Sequence, residues 1–354
     1  MPSHPNDKDL FVDMVTKTAR IELPLGDFDP QSCLQVPEHP RQRPKFPAID
    51  AHCHIDAQPL DQVLRVMDAC GIEHMVNISL TRGPELDAVL RKFSAAPRDR
   101  FTLFMLADWT LIEQGRSVQA LVDELDRRVG QGVRGLKVWK DLGLTARDRD
   151  GVLLRIDDER WAPLFDKAAE LDVPVMLHLG DPVAFFRPID RCNERYEELA
   201  AHPEWGFCQP GLPPQIELME AQSRLIARHP RTRFIGAHMG SFAENLAWVA
   251  RDLDRFPNYS LDISARAAEL GRQPFTARKF FLRYADRILF GSDLLPEESM
   301  YGLYFRFLET EDEYFPYPTH ASGQGRWRIY GLNLPDEVLR AIYHDNAARL
   351  LGAR

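Results

Sequence analysis

Eight times between residues 48 and 293 the chain repeats one pattern, a short apolar run followed by a longer amphipathic stretch. The runs are AIDAHCH (48–54), HMVNISL (74–80), RFTLFMLAD (100–108), VRGLKVWK (133–140), VPVMLHLG (173–180), RFIGAHMG (233–240), YSLDISA (259–265) and RILFGSD (287–293). Near-continuous apolar runs of this length read as strands buried on both faces, the habit of a parallel sheet. Between them lie stretches such as LDQVLRVMDACG, SVQALVDELDRRVG and QIELMEAQSRLIARHP, apolar at helical spacing. Several end in Gly or before Pro, where helices stop. Eight such units over about 300 residues fit a distorted (β/α)8 TIM barrel of the α/β class. An open doubly wound sheet is the alternative. No G-x-G-x-x-G follows the first run, which weakens its dinucleotide-binding form.

The first 46 residues lack this pattern. They are rich in Pro and charge and read as an N-terminal arm packing on a barrel domain of residues 47–354. Two connections exceed ordinary βα loops: residues 181–213 after the fifth run and 294–335 after the eighth. Their aromatic and Arg content argues against disorder. Both leave the C-terminal end of the barrel, where enzymes of this shape keep their sites.

Composition narrows the partners. At 44% hydrophobic the chain can bury a large core, and its net charge is −9 with no basic stripe, which argues against nucleic acid. No stretch is long and apolar enough for a signal peptide or a membrane span. The five cysteines (Cys33, Cys53, Cys70, Cys192, Cys208) are odd in number and form no C-x-x-C. They read as reduced thiols of a cytoplasmic protein.

The polar residues fall at the ends of the runs. His52 and His54 close the first and, two apart, share one face of a strand, with Cys53 on the other. His178 ends the fifth run, His238 the sixth and Asp293 the eighth. One such histidine reads as a satisfied polar residue; five ligand-type side chains converging on one barrel mouth read as a site. His52, His54, His178 and Asp293 offer three imidazole nitrogens and a carboxylate, the donors that suit Zn2+ with one position left open. His238 is then spare to move protons, and Asp293 is a second proton acceptor. In the fourth run, alternation puts Lys137 and Lys140 on opposite faces. Lys140 is nearer the C-terminal end and is read as a contact for a substrate anion or a cap on the strand. Arg266, just past the seventh run, is the leading candidate for a substrate carboxylate. Trp139, Asp181 and Arg187 are the remaining substrate-side candidates.

The combination DAHCH, MLHLGDP, IGAHMG, ILFGSD and a closing HDNAARLLG resembles the amidohydrolase superfamily over residues 47 to 352. The nearer likeness is to its amidohydrolase-related branch, which includes aminocarboxymuconate-semialdehyde decarboxylase and the resorcylate decarboxylases. The resemblance implies a distorted TIM barrel with one divalent metal, Zn2+ or sometimes Mn2+. It implies His52, His54, His178 and Asp293 as ligands, His238 as acid/base, and a homodimer. Other members bridge two metals through a carboxylated lysine of strand four, a role for which Lys140 is the candidate here. The expected function is a metal-dependent hydrolase of a small carboxylated or polyhydroxylated molecule, through an ester, lactone or amide bond. A nonoxidative decarboxylase with the same site is the alternative. The five intact site residues argue against a third reading, a non-catalytic ligand-binding barrel.

Overall fold

A computed structural model describes residues 22–24, 27–28, 30–97, 99–293, 295–317 and 324–352. Residues 1–21 of the expected arm lie outside these. Residues up to Val36 form one unit and Pro37 onward another. The described part of the first is chain without strands, exposed except for the half-buried Val36. In the second, Arg43 donates from Nη1 to the carbonyls of Asp68 and Ala69, and Lys45 pairs with Asp336. Residues 37–46 are thus stitched to the barrel.

Eight strands stand in chain order: β1 (Ala48–Cys53), β2 (Ile72–Ile78), β3 (Phe101–Leu106), β4 (Gly135–Val138), β5 (Val175–Leu177), β6 (Phe234–Gly236), β7 (Tyr259–Asp262) and β8 (Ile288–Leu289). Each pairs in parallel with the next. The ring is drawn shut between its first and last members. Ala51 N donates to Phe290 O at 2.9 Å and Asp293 N to His52 O at 2.7 Å. This is the expected TIM barrel, with helices between the strands.

Two apolar layers hold it. Ile49, Ala51, Val76, Ile78, Phe104, Met176, Ile235 and Leu289 fill the interior. Alternate strand residues such as Met75, Leu103 and Met105 face outward, toward the helices. The helix Leu60–Cys70 shows how those helices fit: Val63, Met67 and Cys70 are buried, at spacings of four and three. Gly71 ends it at φ 72°, a left-handed turn that any Cβ would strain. Arg43 takes up the carbonyls left over at that end. In the long connection after β8 the described residues include the helix Glu298–Glu309 and an antiparallel ribbon of Phe315–Pro316 with Arg328–Ile329. Among the described residues no helix is long and apolar enough to cross a membrane.

β1 departs from strict alternation. Its pairing with β2 shifts register between Asp50 and Cys53. Asp50 turns to the helix side, where it accepts from Tyr301 Oη at 2.8 Å and Ser292 Oγ at 2.6 Å. His52, two residues on, turns to the interior and meets Lys137. Such irregularities re-aim side chains at barrel rims.

Glycine at 135 makes room for the interior: a Cβ there would lie 2.4 Å from the Phe104 ring. Gly135→Ala should cost about 1–3 kcal/mol in urea unfolding through overpacking. Adding Phe104→Leu should recover part of it. Equal stability of Gly135→Ala and the parent would reject this packing.

Candidate metal centre

The C-terminal ends of the strands carry the polar groups, and the backbone there is strained. His238 (φ 57°), Met239 (59°), Ser241 (62°), Ala265 (51°) and Asp293 (59°) all adopt left-handed conformations without being glycine. They follow β6, β7 and β8. Clusters of such residues mark functional sites, because surrounding structure must hold them there.

Three histidines are tethered alike. His52 Nδ1 meets Asp262 Oδ2 at 2.8 Å, His54 Nδ1 meets Ile78 O at 2.7 Å, and His238 Nδ1 meets Ser264 O at 2.9 Å. Each partner is an acceptor, so each Nδ1 carries the proton and donates. A neutral ring donating at Nδ1 presents a bare lone pair at Nε2. Those lone pairs converge on one carboxylate. His54 Nε2 is 2.9 Å and His52 Nε2 3.3 Å from Asp293 Oδ1, and His238 Nε2 is 3.7 Å from Oδ2.

Acceptors therefore face an anion. His54 Nε2 is buried without a hydrogen-bond partner. His52, His54 and Asp293 form one tight group of ligand-type atoms, and His52, His238 and Asp262 another. This donor set fits a divalent cation, and the Asp262–His52 contact is the carboxylate–imidazole support that metal-binding histidines use.

Lys137 faces the barrel interior beside His52. Its Nζ lies 3.2 Å from His52 Nε2 and 3.4 Å from Met176 Sδ, fully buried in the barrel. Lys140, expected at the mouth, pairs there with Asp181 at 2.5 Å. Alternation did not govern it, because β4 ends at Val138. Asp181 spends its charge on Lys140 and on His178 Nε2, 3.3 Å away. His178 lies beside His238, ring centroids 4.3 Å apart, but outside both tight ligand groups, and its Nδ1 is buried without a partner. Trp139 stands edge-on to His178 and His54. Arg266 is buried, donates from Nη1 to Ala265 O, and makes no ion pair among the described residues. Arg187 is exposed and lines a separate cleft. Asp262 and Ser264, in the seventh run, were missed; a carboxylate inside an apolar strand was the available signal.

Burial sets the charges. It lowers His178 to about 4 and, helped by Lys137, depresses His52. Burial and the neighbouring His178 hold His238 well below the usual imidazole range. Lys137 falls to about 8 for the same reason, its descent limited by Asp293 and Asp262.

The family model described as amidohydrolase matches residues 49–353. The chain belongs to the amidohydrolase family. It is an enzyme of that family, and the expected likeness to the amidohydrolase-related branch stands. Solved structures share its fold. A TIM-barrel protein of Bordetella bronchiseptica is 18% identical, with TM-score 0.57, over 87% of this chain and 99% of that one. A 2,6-dihydroxybenzoate decarboxylase bound to 2,6-dihydroxybenzoate is 21% identical, TM-score 0.57, over 87% and 99%. A zinc-bound amidohydrolase of Burkholderia multivorans is 15% identical, TM-score 0.51, over 86% and 99%. No curated protein matches the chain in sequence.

The buried neutral histidines of this amidohydrolase predict a pH dependence. Between the unfolded imidazole pKa of about 6.5 and the folded His178 value of about 4, the unfolded chain binds a proton that the fold refuses. Stability should therefore fall as pH drops through that window, by about 3 kcal/mol from His178 alone. Asp50, which burial lifts to about 6, offsets part of this. Urea midpoints of chelator-treated protein should be lower at pH 5 than at pH 7, and His178→Gln should flatten the slope. A parent midpoint constant across the window would rule out neutral burial.

Proposed function

We propose that this amidohydrolase is a metal-dependent hydrolase of a small carboxylated or polyhydroxylated molecule, cleaving an ester, lactone or amide bond. One observation carries the reading: the lone pairs of three Nδ1-tethered imidazoles converge on Asp293. The side chains of His54 (24% exposed) and Asp293 (22%) leave this centre open to solvent.

His52, His54 and Asp293 would hold a divalent ion, most simply Zn2+ or Mn2+, with His178 as fourth donor. Such an ion supplies Lewis acidity and a water of lowered pKa. The chain's own groups do the rest. His238, neutral and anchored through Nδ1 to Ser264 O, takes the proton of the attacking water at Nε2 and returns it to the leaving group. Asp293, 3.7 Å away, stabilises the imidazolium between the two transfers. Arg266, buried and without an ion-pair partner among the described residues, binds the substrate carboxylate. Trp139 walls the mouth beside His54 and His178.

Arg266 also favours a second reading, nonoxidative decarboxylation. Its charge reaches His238, so a carboxylate seated on it would lie near a group able to protonate the adjoining carbon as CO2 leaves. The shared fold with the dihydroxybenzoate decarboxylase is compatible with that chemistry.

Protein purified without affinity-tag metal should contain about one equivalent of Zn or Mn per chain by elemental analysis. His52→Ala should lose it; full occupancy in that variant would reject the ligand assignment. His238→Ala should keep metal and fold while losing about 10²–10⁴-fold in turnover. Near-parental turnover would remove its proton-transfer role. Once a lactone, ester or aromatic-acid screen finds turnover, reaction in H2 18O separates the readings. Label in the product acid supports hydrolysis, whereas CO2 release with solvent hydrogen at carbon supports the decarboxylase.

A further inference from the structure

A second cleft, of about 590 Å³, opens between the connection after β5, the turn after β6 and the short helix Ala267–Gly271. None of the histidines of the metal centre lines it. Its polar wall is incompletely satisfied. Glu269 is 2% exposed; one carboxylate oxygen pairs with Arg195, and the other, Oε2, is buried with no partner. Glu244 Oε1 accepts from Val183 N at 2.8 Å, while its Oε2 is also buried and unpaired. Arg272 grips Glu194 with both terminal nitrogens, at 2.8 and 3.1 Å, but its Nε is buried and unpaired. Arg187, on the same wall, has no side-chain partner among the described residues. Val183 and Phe242 supply apolar surface beside them.

Buried polar atoms in folded proteins are almost always paired, and an unpaired buried carboxylate oxygen is costly. Here two carboxylates, each with one unpaired oxygen, and two guanidinium groups line one cavity. We infer that this cleft binds a small zwitterion, an α-amino acid with an apolar side chain. Its ammonium meets Glu244 and Glu269, its carboxylate meets Arg187 and Arg272, and its side chain lies against Val183 and Phe242. Burial and the nearby Glu269 charge raise the Glu244 carboxyl, with Arg266 opposing them. The site is separate from the metal centre and does not depend on the hydrolase reading.

The test uses the full chain and three matched probes by titration calorimetry. L-Leucine carries both charges, 3-methylbutylamine lacks the carboxylate, and 4-methylpentanoate lacks the ammonium. Leucine should bind at least about tenfold more tightly than either fragment, a difference of about 1.4 kcal/mol. Arg187→Ala, at an exposed position, and Glu244→Gln should each weaken leucine binding by at least about tenfold. His238→Ala and chelator-treated protein should bind it as the parent does. Absence of saturable leucine binding, equal binding of leucine and the amine, or unchanged affinity in Arg187→Ala would each overturn the assignment. Binding lost in His238→Ala or on chelation would place leucine at the metal centre and overturn it as well.

Discussion

Each of three imidazoles in this barrel gives its Nδ1 proton to a fixed acceptor, and the site depends on that. Ile78 O, Ser264 O and Asp262 lock the tautomers and ring planes of His54, His238 and His52. A ring free to flip would present a proton or a lone pair to the mouth in turn; a tethered ring presents the lone pair only. The acceptors come from β2, β7 and the turn after β7, so the tether holds only while the strands keep their order.

Barrel closure supplies that order at its weakest point. β1 with the residue just past it carries His52 and His54, the segment after β8 carries Asp293, and hydrogen bonds from Ala51 and Asp293 join them. Behind the seam, Asp50 accepts from His52 N, Ser292 N, Ser292 Oγ and Tyr301 Oη. One buried carboxylate therefore pins both halves of the ligand group from the helix side. Gly291 sits where a Cβ would come within 3.0 Å of His52 Cβ, so the two segments approach as closely as their backbones permit.

Charge in the interior is arranged around Asp293. Lys137 brings an ammonium into a region of lone pairs and carboxylates, while burial strips the histidines of their protons. The outer mouth is balanced separately, by Lys140 with Asp181, and by Arg195 with Glu198 and Glu269. Arg266 stands between these two regions, its charge felt by both His238 and Glu269.

The order of eight strands, and the gathering of His52, His54, His238 and Asp293 at one mouth, were legible in the linear sequence. Hydrophobic periodicity places strands, and a barrel brings their ends together whatever the helices do. His178 was legible as a neighbour but not in its orientation, since Asp181 three residues on competes for its Nε2. The choice between Lys137 and Lys140 belonged to the tertiary structure. Lys137 is held by the pleat of β4, whereas Lys140 lies beyond the strand, where the turn and not alternation directs the side chain. Arg187 went the same way, into a second cleft formed by segments far apart in sequence. The turn of His52 toward the interior also came from a register shift in β1, which depends on its pairing with β2. The sequence alone determined which residue types reach the mouth, because strand position is a local property. The direction of each side chain past a strand end depends on left-handed backbone and cross-strand contacts, which only the folded barrel imposes.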